Sequence, residues 1–156
     1  MSARWLNPDE ERAWRAYRRM RALLDLRLSR DLAAQGLSDA DYDVLSTLSD
    51  SPGHTMRIRE LADWMLWSQS RLSHHLARMR KRDLITRVDV VEDGRGARVE
   101  LTAEGWRVLL AAAPAHVTSV RENFVDLMTP SEIAALGALS SRVVDHLTHG
   151  TDGQEH

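Results

Sequence analysis

The segment from Trp67 to Thr102, WSQSRLSHHLARMRKRDLITRVDVVEDGRGARVELT, constrains the fold more than any other part of the chain. Ser68 is placed to cap a helix, because a serine hydroxyl can accept a hydrogen bond from an otherwise unpaired first-turn amide. Leu72, His75, Leu76 and Met79 then recur at i, i+3, i+4 and i+7, one inward stripe on one helical face. Ser70, Ser73, His74, Ala77 and Lys81 fall on the opposite side, flanked by Arg71 and Arg78. A small Ala77 in the middle of that side lets the helix approach another surface closely. Residues 68–82 hold five basic residues and no acidic one.

Two short β-type runs follow, Leu84 to Val91 (LITRVDVV) and Arg98 to Leu101 (RVEL). EDGRGA joins them, with two glycines to turn the chain. Arg95 stands at the tip between Gly94 and Gly96, where an arginine can enter the narrow, electronegative minor groove of DNA. The plainer alternatives are a solvated basic helix face and an ordinary turn arginine. Taken together, a basic helix and a basic hairpin have the parts of a winged helix-turn-helix DNA reader.

The charge distribution agrees. The whole chain carries a net charge of −2, which argues against a globally basic nucleic-acid binder. Residues 68–98, however, hold eight Lys/Arg against four Asp/Glu, a net of +4, which leaves −6 for the remainder. Positive charge is gathered where DNA contact is expected. The chain has no cysteine, so a disulfide framework, a thiolate redox switch and a cysteine-based zinc site are excluded. No apolar run is long enough to span a membrane and MSARWLNPDEER is no signal peptide, so a cytoplasmic location with no membrane partner is expected. At 156 residues a single domain is the default.

In chain order, Asn7 or Asp9 can cap a first helix with Pro8 in its first turn. Trp14, Tyr17, Met20, Leu24, Leu28 and Leu32 recur along it, and Gly36 suits its C′ position. Ser38-Asp39-Ala40-Asp41 is a capping pattern for a second helix bearing Tyr42, Leu45 and Leu48, stopped by Ser51-Pro52-Gly53. A short strand around Met56 and Ile58 is possible. RELADWML (59–66) makes the first helix of the helix-turn-helix, with a turn of about Trp67-Ser68. Thr102 caps a fifth helix through Trp106, Leu109 and Leu110, which Pro114 should kink; His116, Val117, Val120, Phe124 and Leu127 continue it. Thr129-Pro130-Ser131-Glu132 is the strongest local signal, opening a last helix with Ile133, Leu136, Leu139, Val143 and Leu147.

Asp93-x-Arg95-x3-Val99-x-Leu101-Thr102-x2-Gly105 resembles the wing signature of MarR-type transcriptional regulators. Glu60-Leu61-Ala62 followed by Ser68 and Leu84-Ile85 is also similar to that family, and the resemblance covers about Glu11 to Leu147. It departs at Asp83, where the family commonly has Gly; Asp tolerates the left-handed conformation better than most residues. Arg57 sits where the family often places a capping Ser or Thr, and could be a phosphate contact or a solvated arginine.

The resemblance implies a mainly α subunit with a small β-wing, a winged helix-turn-helix. Six helices are expected, with the hairpin between the fourth and fifth, closed into a two-fold dimer through the first, fifth and sixth. Residues 8–35 and 104–148 would be dimerisation helices and 38–101 the DNA-binding region of one 1–156 subunit. The function implied is a DNA-binding regulator, most simply a repressor, that reads a pseudo-palindromic operator as a homodimer.

The residues expected at DNA are Ser68, Ser70, Arg71, Ser73, His74, Arg78, Asp93, Arg95 and Arg98. Ser70, Ser73 and His74 would lie near base edges and Arg71 and Arg78 near guanine or phosphate. Arg95 would enter the minor groove, with Asp93 orienting it. In the resembled family a small-molecule pocket lies between the dimer helices and the reader. Trp14, Tyr17, Tyr42, Trp64 and Trp67 come from segments expected to converge there and could line a pocket for a flat apolar or phenolic effector; core packing is the plainer reading of those rings.

No cofactor is expected. His74 and His75 are adjacent and diverge on a helix, while His146 and His149 have chelating spacing but no cysteine or carboxylate set around them. No nucleophile elbow, phosphate loop or HExxH motif points to an enzyme. The rivals are a winged-helix module for protein contact without DNA binding, a metal-responsive regulator, and a small metal- or cofactor-dependent enzyme.

Overall fold

The computed structural model describes residues 3–90 and 96–149. Six helices and a three-stranded sheet run in the order α1 (Pro8–Ala34), α2 (Asp39–Asp50), β1 (Thr55–Arg57), α3 (Ile58–Trp64), α4 (Gln69–Lys81), β2 (Ile85–Asp89), β3 (Ala97–Leu101), α5 (Ala103–Asn123) and α6 (Pro130–His149). Backbone contacts divide the chain into two compact units, residues 1–117 and 118–156.

The caps fall where local chemistry places them. Asn7 accepts from the amides of Asp9 and Glu10, while Glu10 accepts from the Asn7 amide. Ser38 and Asp41 make the same reciprocal pair at α2, and Thr129 and Glu132 at α6. Each pair satisfies amides that the first helical turn leaves without partners.

Three helices end in the same motif. After α1, α3 and α4 a residue with positive φ reverses the chain, at Gly36 (77°), Leu66 (55°) and Asp83 (59°). In each case that residue and the next donate back to carbonyls of the last turn; after α4, Asp83 bonds Arg80 and Leu84 bonds Met79. Asp83 thus does the work expected of glycine. Leu66 is different, because a leucine side chain is strained in this region.

The sheet is antiparallel in the order β1-β3-β2, so the strand near Met56 is real and holds the wing's inner strand from the other side. The core of the first unit is made by Leu45 and Leu48 of α2, Leu61 of α3, Leu72 and Met79 of α4, and Val99 of β3, all fully buried. Leu109 and Ala112 of α5 join it. Gly105 lets α5 start there: an added Cβ would lie 2.0 Å from the Leu84 carbonyl oxygen. Thr102 completes the junction, its hydroxyl accepting from the Gly105 amide and donating to the Asp83 carbonyl.

Several expected boundaries move. The first reader helix spans 58–64 rather than 59–66, and its turn is longer than Trp67-Ser68, because Met65 already caps it and Leu66 reverses the chain. The wing's first strand ends at Asp89, with Val91 outside the described residues. α5 runs through Pro114 but stops at Asn123, so Phe124 and Leu127 do not extend it. The Asn123 side-chain amide donates to the Ser119 carbonyl, Arg121 reaches Asp126, and residues 125–127 form a separate 3-10 turn.

Candidate nucleic-acid interface

α4 divides as its periodicity requires. Leu72, His75, Leu76 and Met79 are buried, while Ser70, Arg71, Ser73, His74, Arg78 and Lys81 are exposed. Ser68 is the N-cap, accepting from the Arg71 amide, and its own O–H can still donate outward. Two outward stripes follow from 3.6-residue spacing. Ser70, Ser73 and Ala77 make a low ridge of small side chains, and Arg71, His74 and Arg78 make a basic edge beside it. A helix with this profile fits a major groove about 12 Å wide, with short side chains at base edges and cations toward phosphates.

On one flank of the ridge lies a hollow of about 440 Å³ lined by Trp67, Arg71, His74 and Arg78 together with Ser38 and Ala40. On the other lies one of about 590 Å³, whose walls include Arg57, Arg59, Gln69, Ser73 and Arg87, with Glu60 and Asp63. Both troughs present guanidinium groups. Arg59, Gln69 and Arg87 are additions to the residues that the sequence singles out. The sheet register places Arg87: it pairs with Val99, and paired residues share a face of the sheet.

The same register relocates Arg98. It pairs with Val88 and Arg57, on the face away from Val99. Its guanidinium donates to the Thr55 hydroxyl at 3.2 Å and carbonyl at 3.5 Å, so it braces the wing's base against β1. Asp93 and Arg95 lie outside the described residues. Arg57 gives its backbone amide to Glu60 at 3.2 Å, so α3 is capped from its own third residue rather than by a Ser or Thr side chain.

Beneath the basic edge is a buried polar cluster. The Asp41 carboxylate, 4% exposed, takes the Ser38 amide at 3.1 Å and Arg82 Nη1 at 2.7 Å. His75 Nε2 stands 3.1 Å from Asp41 Oδ1, at ion-pair distance but without hydrogen-bond alignment. Arg82 also donates to the Gly36 carbonyl at 2.7 Å, tying the end of α4 to the end of α1. Arg78 Nη2 meets His75 Nδ1 at 3.1 Å, and the Trp67 ring stands edge-on to the imidazole at 5.6 Å.

Burial alone would raise the Asp41 pKa, but the Ser38 amide, Arg82 and His75 together hold it below the usual 3.8. For His75 burial dominates and favours the neutral ring; Arg78 and Arg82 act in the same direction and Asp41 against it, leaving the pKa below 6.5.

The five aromatic residues do not form one group. Trp14 stacks on Tyr17 at 5.8 Å on an exposed stretch of α1. Tyr42 packs on His116 at 4.3 Å. Trp67 is covered by the Arg71 guanidinium, 3.7 Å from its centroid, and shares a hollow of about 470 Å³ with Trp64, Asp39 and Asp43. The expected convergence therefore fails within one chain. Helical spacing gives each ring's face on its own helix but not which faces meet.

Among the described residues no group of three or more His, Cys, Asp or Glu could hold a metal ion, and no helix is long and apolar enough to cross a membrane.

Comparison with known proteins matches this geometry. A model of the MarR family matches residues 35–96. AbsC, a MarR family transcriptional regulator from Streptomyces coelicolor, is 38% identical with a TM-score of 0.90, over 93% of this chain and 98% of its own. A second MarR family regulator from that organism, solved in complex with DNA, is 36% identical with a TM-score of 0.90, over 94% of this chain and 92% of its own. The HTH-type transcriptional repressor YetL of Bacillus subtilis is 28% identical over 114 residues, 71% of this chain and 68% of its own. With the reader helix, wing and caps in place, the chain belongs to the MarR family of DNA-binding transcriptional regulators and is not an enzyme.

Proposed function

We propose that the chain acts as a homodimeric repressor that reads a pseudo-palindromic operator and lets it go when a flat, apolar or phenolic effector binds. One observation carries the DNA part: a ridge of Ser70, Ser73 and Ala77 between two troughs walled by arginine. Ser70, Ser73 and His74 contact base edges. Arg71 and Arg78, with Ser68, take phosphates or guanine on one side; Arg57, Arg59 and Arg87 take phosphates on the other. Arg95 enters the minor groove, oriented by Asp93, and Arg98 steadies the wing. The repressor reading draws on the function named for YetL.

Dimerisation is supported by apolar faces that a single chain leaves open. On α1, Trp14, Tyr17 and Leu23 are roughly half exposed; on α6, Leu139, Val143 and Leu147 are likewise exposed. Two-fold pairing through α1, α5 and α6 implies half-sites about one helical turn, roughly 10 bp, apart. The effector wall is the hollow shared by Trp64 and Trp67. Trp14, Tyr17 and Tyr42 lie on other contacts and are not part of that wall. A ~100-fold preference of the effector for one state is worth about 2.7 kcal/mol, enough for a switch.

The test is selection of bound sequences from a random duplex library at near-physiological salt, with wild type and Arg95→Ala side by side. Wild type should enrich an inverted repeat, and Arg95→Ala should bind it more weakly while remaining dimeric. Equal binding by the variant removes the wing from the mechanism, and no enrichment by wild type leaves a protein-contact module as the better reading. The enriched duplex then serves to screen phenolic compounds for release, with Trp67→Ala expected to lose the response.

A further inference from the structure

We propose that Asp41 and His75 form a relay that positions Arg78 for DNA, and that protonation of His75 switches this positioning off. The inference rests on the DNA-binding reading of α4.

The chemistry of the contacting atoms dictates the state of the ring. A guanidinium has N–H donors and no acceptor, so His75 Nδ1, 3.1 Å from Arg78 Nη2, must offer its lone pair. The single proton of the neutral ring then sits on Nε2, which faces Asp41 Oδ1 at 3.1 Å. Asp41 itself is immobilised: its second oxygen holds Arg82 and the Ser38 amide, and Arg82 is anchored on the Gly36 carbonyl. A fixed carboxylate thus stands at ion-pair distance from the Nε2 side of the imidazole and favours a proton there by charge, and the Nδ1 lone pair holds the guanidinium at the basic edge of the recognition helix.

The charged groups around the ring are Asp41 from α2 and Arg78 and Arg82 from α4 and its C-cap; the uncharged Trp67 ring, from the turn before α4, lies nearly perpendicular to it. Protonation would place an Nδ1–H against an Arg78 N–H, two donors facing each other with like charge. It would also strengthen the attraction of Nε2–H to Asp41. Arg78 must then leave its present position while the ring stays. The buried His75 favours the neutral form, so the relay is set at neutral pH and released on acidification.

The experiment uses the full chain and the duplex enriched by wild type. Affinity is measured from pH 7.5 to 5.5 over a series of salt concentrations, for wild type, His75→Leu, His75→Gln and Arg78→Ala. Wild type should weaken about tenfold on acidification, and its salt dependence should fall by about one phosphate contact. His75→Leu should show that loss already at pH 7.5. His75→Gln, whose amide can accept from Arg78 and donate toward Asp41, should recover part of it and flatten the pH profile. Arg78→Ala should bind as acidified wild type does.

Nitrogen-detected NMR of the wild-type histidines supplies a check free of mutational damage: His75 should carry its proton on Nε2 at neutral pH. A proton on Nδ1, or a His75→Gln profile that parallels wild type, overturns the relay while leaving DNA binding intact. Absence of duplex binding by folded wild type at pH 7.5 instead overturns the DNA reading, and the relay with it.

Discussion

The reader region and the long α1 and α6 helices are both built from amphipathic helices, yet they finish differently. In the reader, every helix buries its stripe within the chain: Leu45, Leu48, Leu61, Leu72 and Met79 are 0% exposed. Along α1 only Leu32 is buried, and α6 buries none of its described residues, although both carry regular apolar stripes. The reader is complete in one chain, whereas the long helices keep apolar area that a second copy can remove from water. Burial at about 25 cal/mol per Å² drives closure of the reader core, and the same driving force favours any surface that covers the open faces of α1 and α6.

Substitutions on the two sides should therefore fail in different assays. Leu48→Ala should lower the unfolding free energy by about 2–5 kcal/mol, because it leaves a cavity in a sealed core. Chemical denaturation measures it, and a loss under about 1 kcal/mol would mean the reader core is not closed as described. Val143→Asp should instead convert dimer to monomer in sedimentation while the isolated chain keeps its helicity. If the mass and its concentration dependence match wild type, the open face of α6 is not an interface and the contrast collapses.

Gly105→Ala sharpens the reader side. Its new methyl would press on the Leu84 carbonyl, forcing α5 away from the wing at about 1–3 kcal/mol. Thermal melting is the readout, and an unchanged midpoint would show that the junction has slack.

Acidification should weaken the reader in two steps. His75 titrates below 6.5 when folded, so the folded state binds fewer protons than the unfolded one just below that pH. Stability is then full above about 6.5 and falls as pH drops through the folded value. Asp41, lowered from 3.8, adds a second loss below that pH, and Asp41→Asn should remove it from the titration of unfolding free energy.

The smallest change is expected at Leu66, 91% exposed and at φ 55°. Leu66→Gly should stabilise the fold by about 0.5–1 kcal/mol, relieving strain without losing burial. Destabilisation would mean that the leucine makes a contact its exposure hides.

Much of the reader is legible in the sequence alone. The inward face of α4 appears in order as Leu72, His75, Leu76 and Met79, because i, i+3, i+4 spacing is a property of one helix. The ability of Asp83 to replace glycine at the end of α4 is legible for the same reason, as are the capping pairs at Ser38 and Thr129. Apart from the shifted ends of single helices, the differences at the site involve pairs of elements. Arg98 reads as a DNA contact because its charge is visible in sequence, whereas its pairing with Arg57 and Val88 is not. Arg87 escapes notice for the converse reason. The five rings suggest one pocket because each lies on a plausible face, yet their contacts scatter over three places.

Local rules acting over a few residues were thus enough to place the six helices in order, the caps at Ser38, Ser68 and Thr129, the αL stop at Asp83 and the exposed face of the reader. Those rules depend on backbone hydrogen bonds and side-chain periodicity within single elements. Only the tertiary structure decided that β1 closes the sheet, that Arg87 and not Arg98 shares the Val99 face, and that Asp41, 34 residues before His75, sits beneath the recognition helix. Strand register and the meeting of distant carboxylates and guanidinium groups depend on which buried surfaces pack together, and that choice belongs to the whole core.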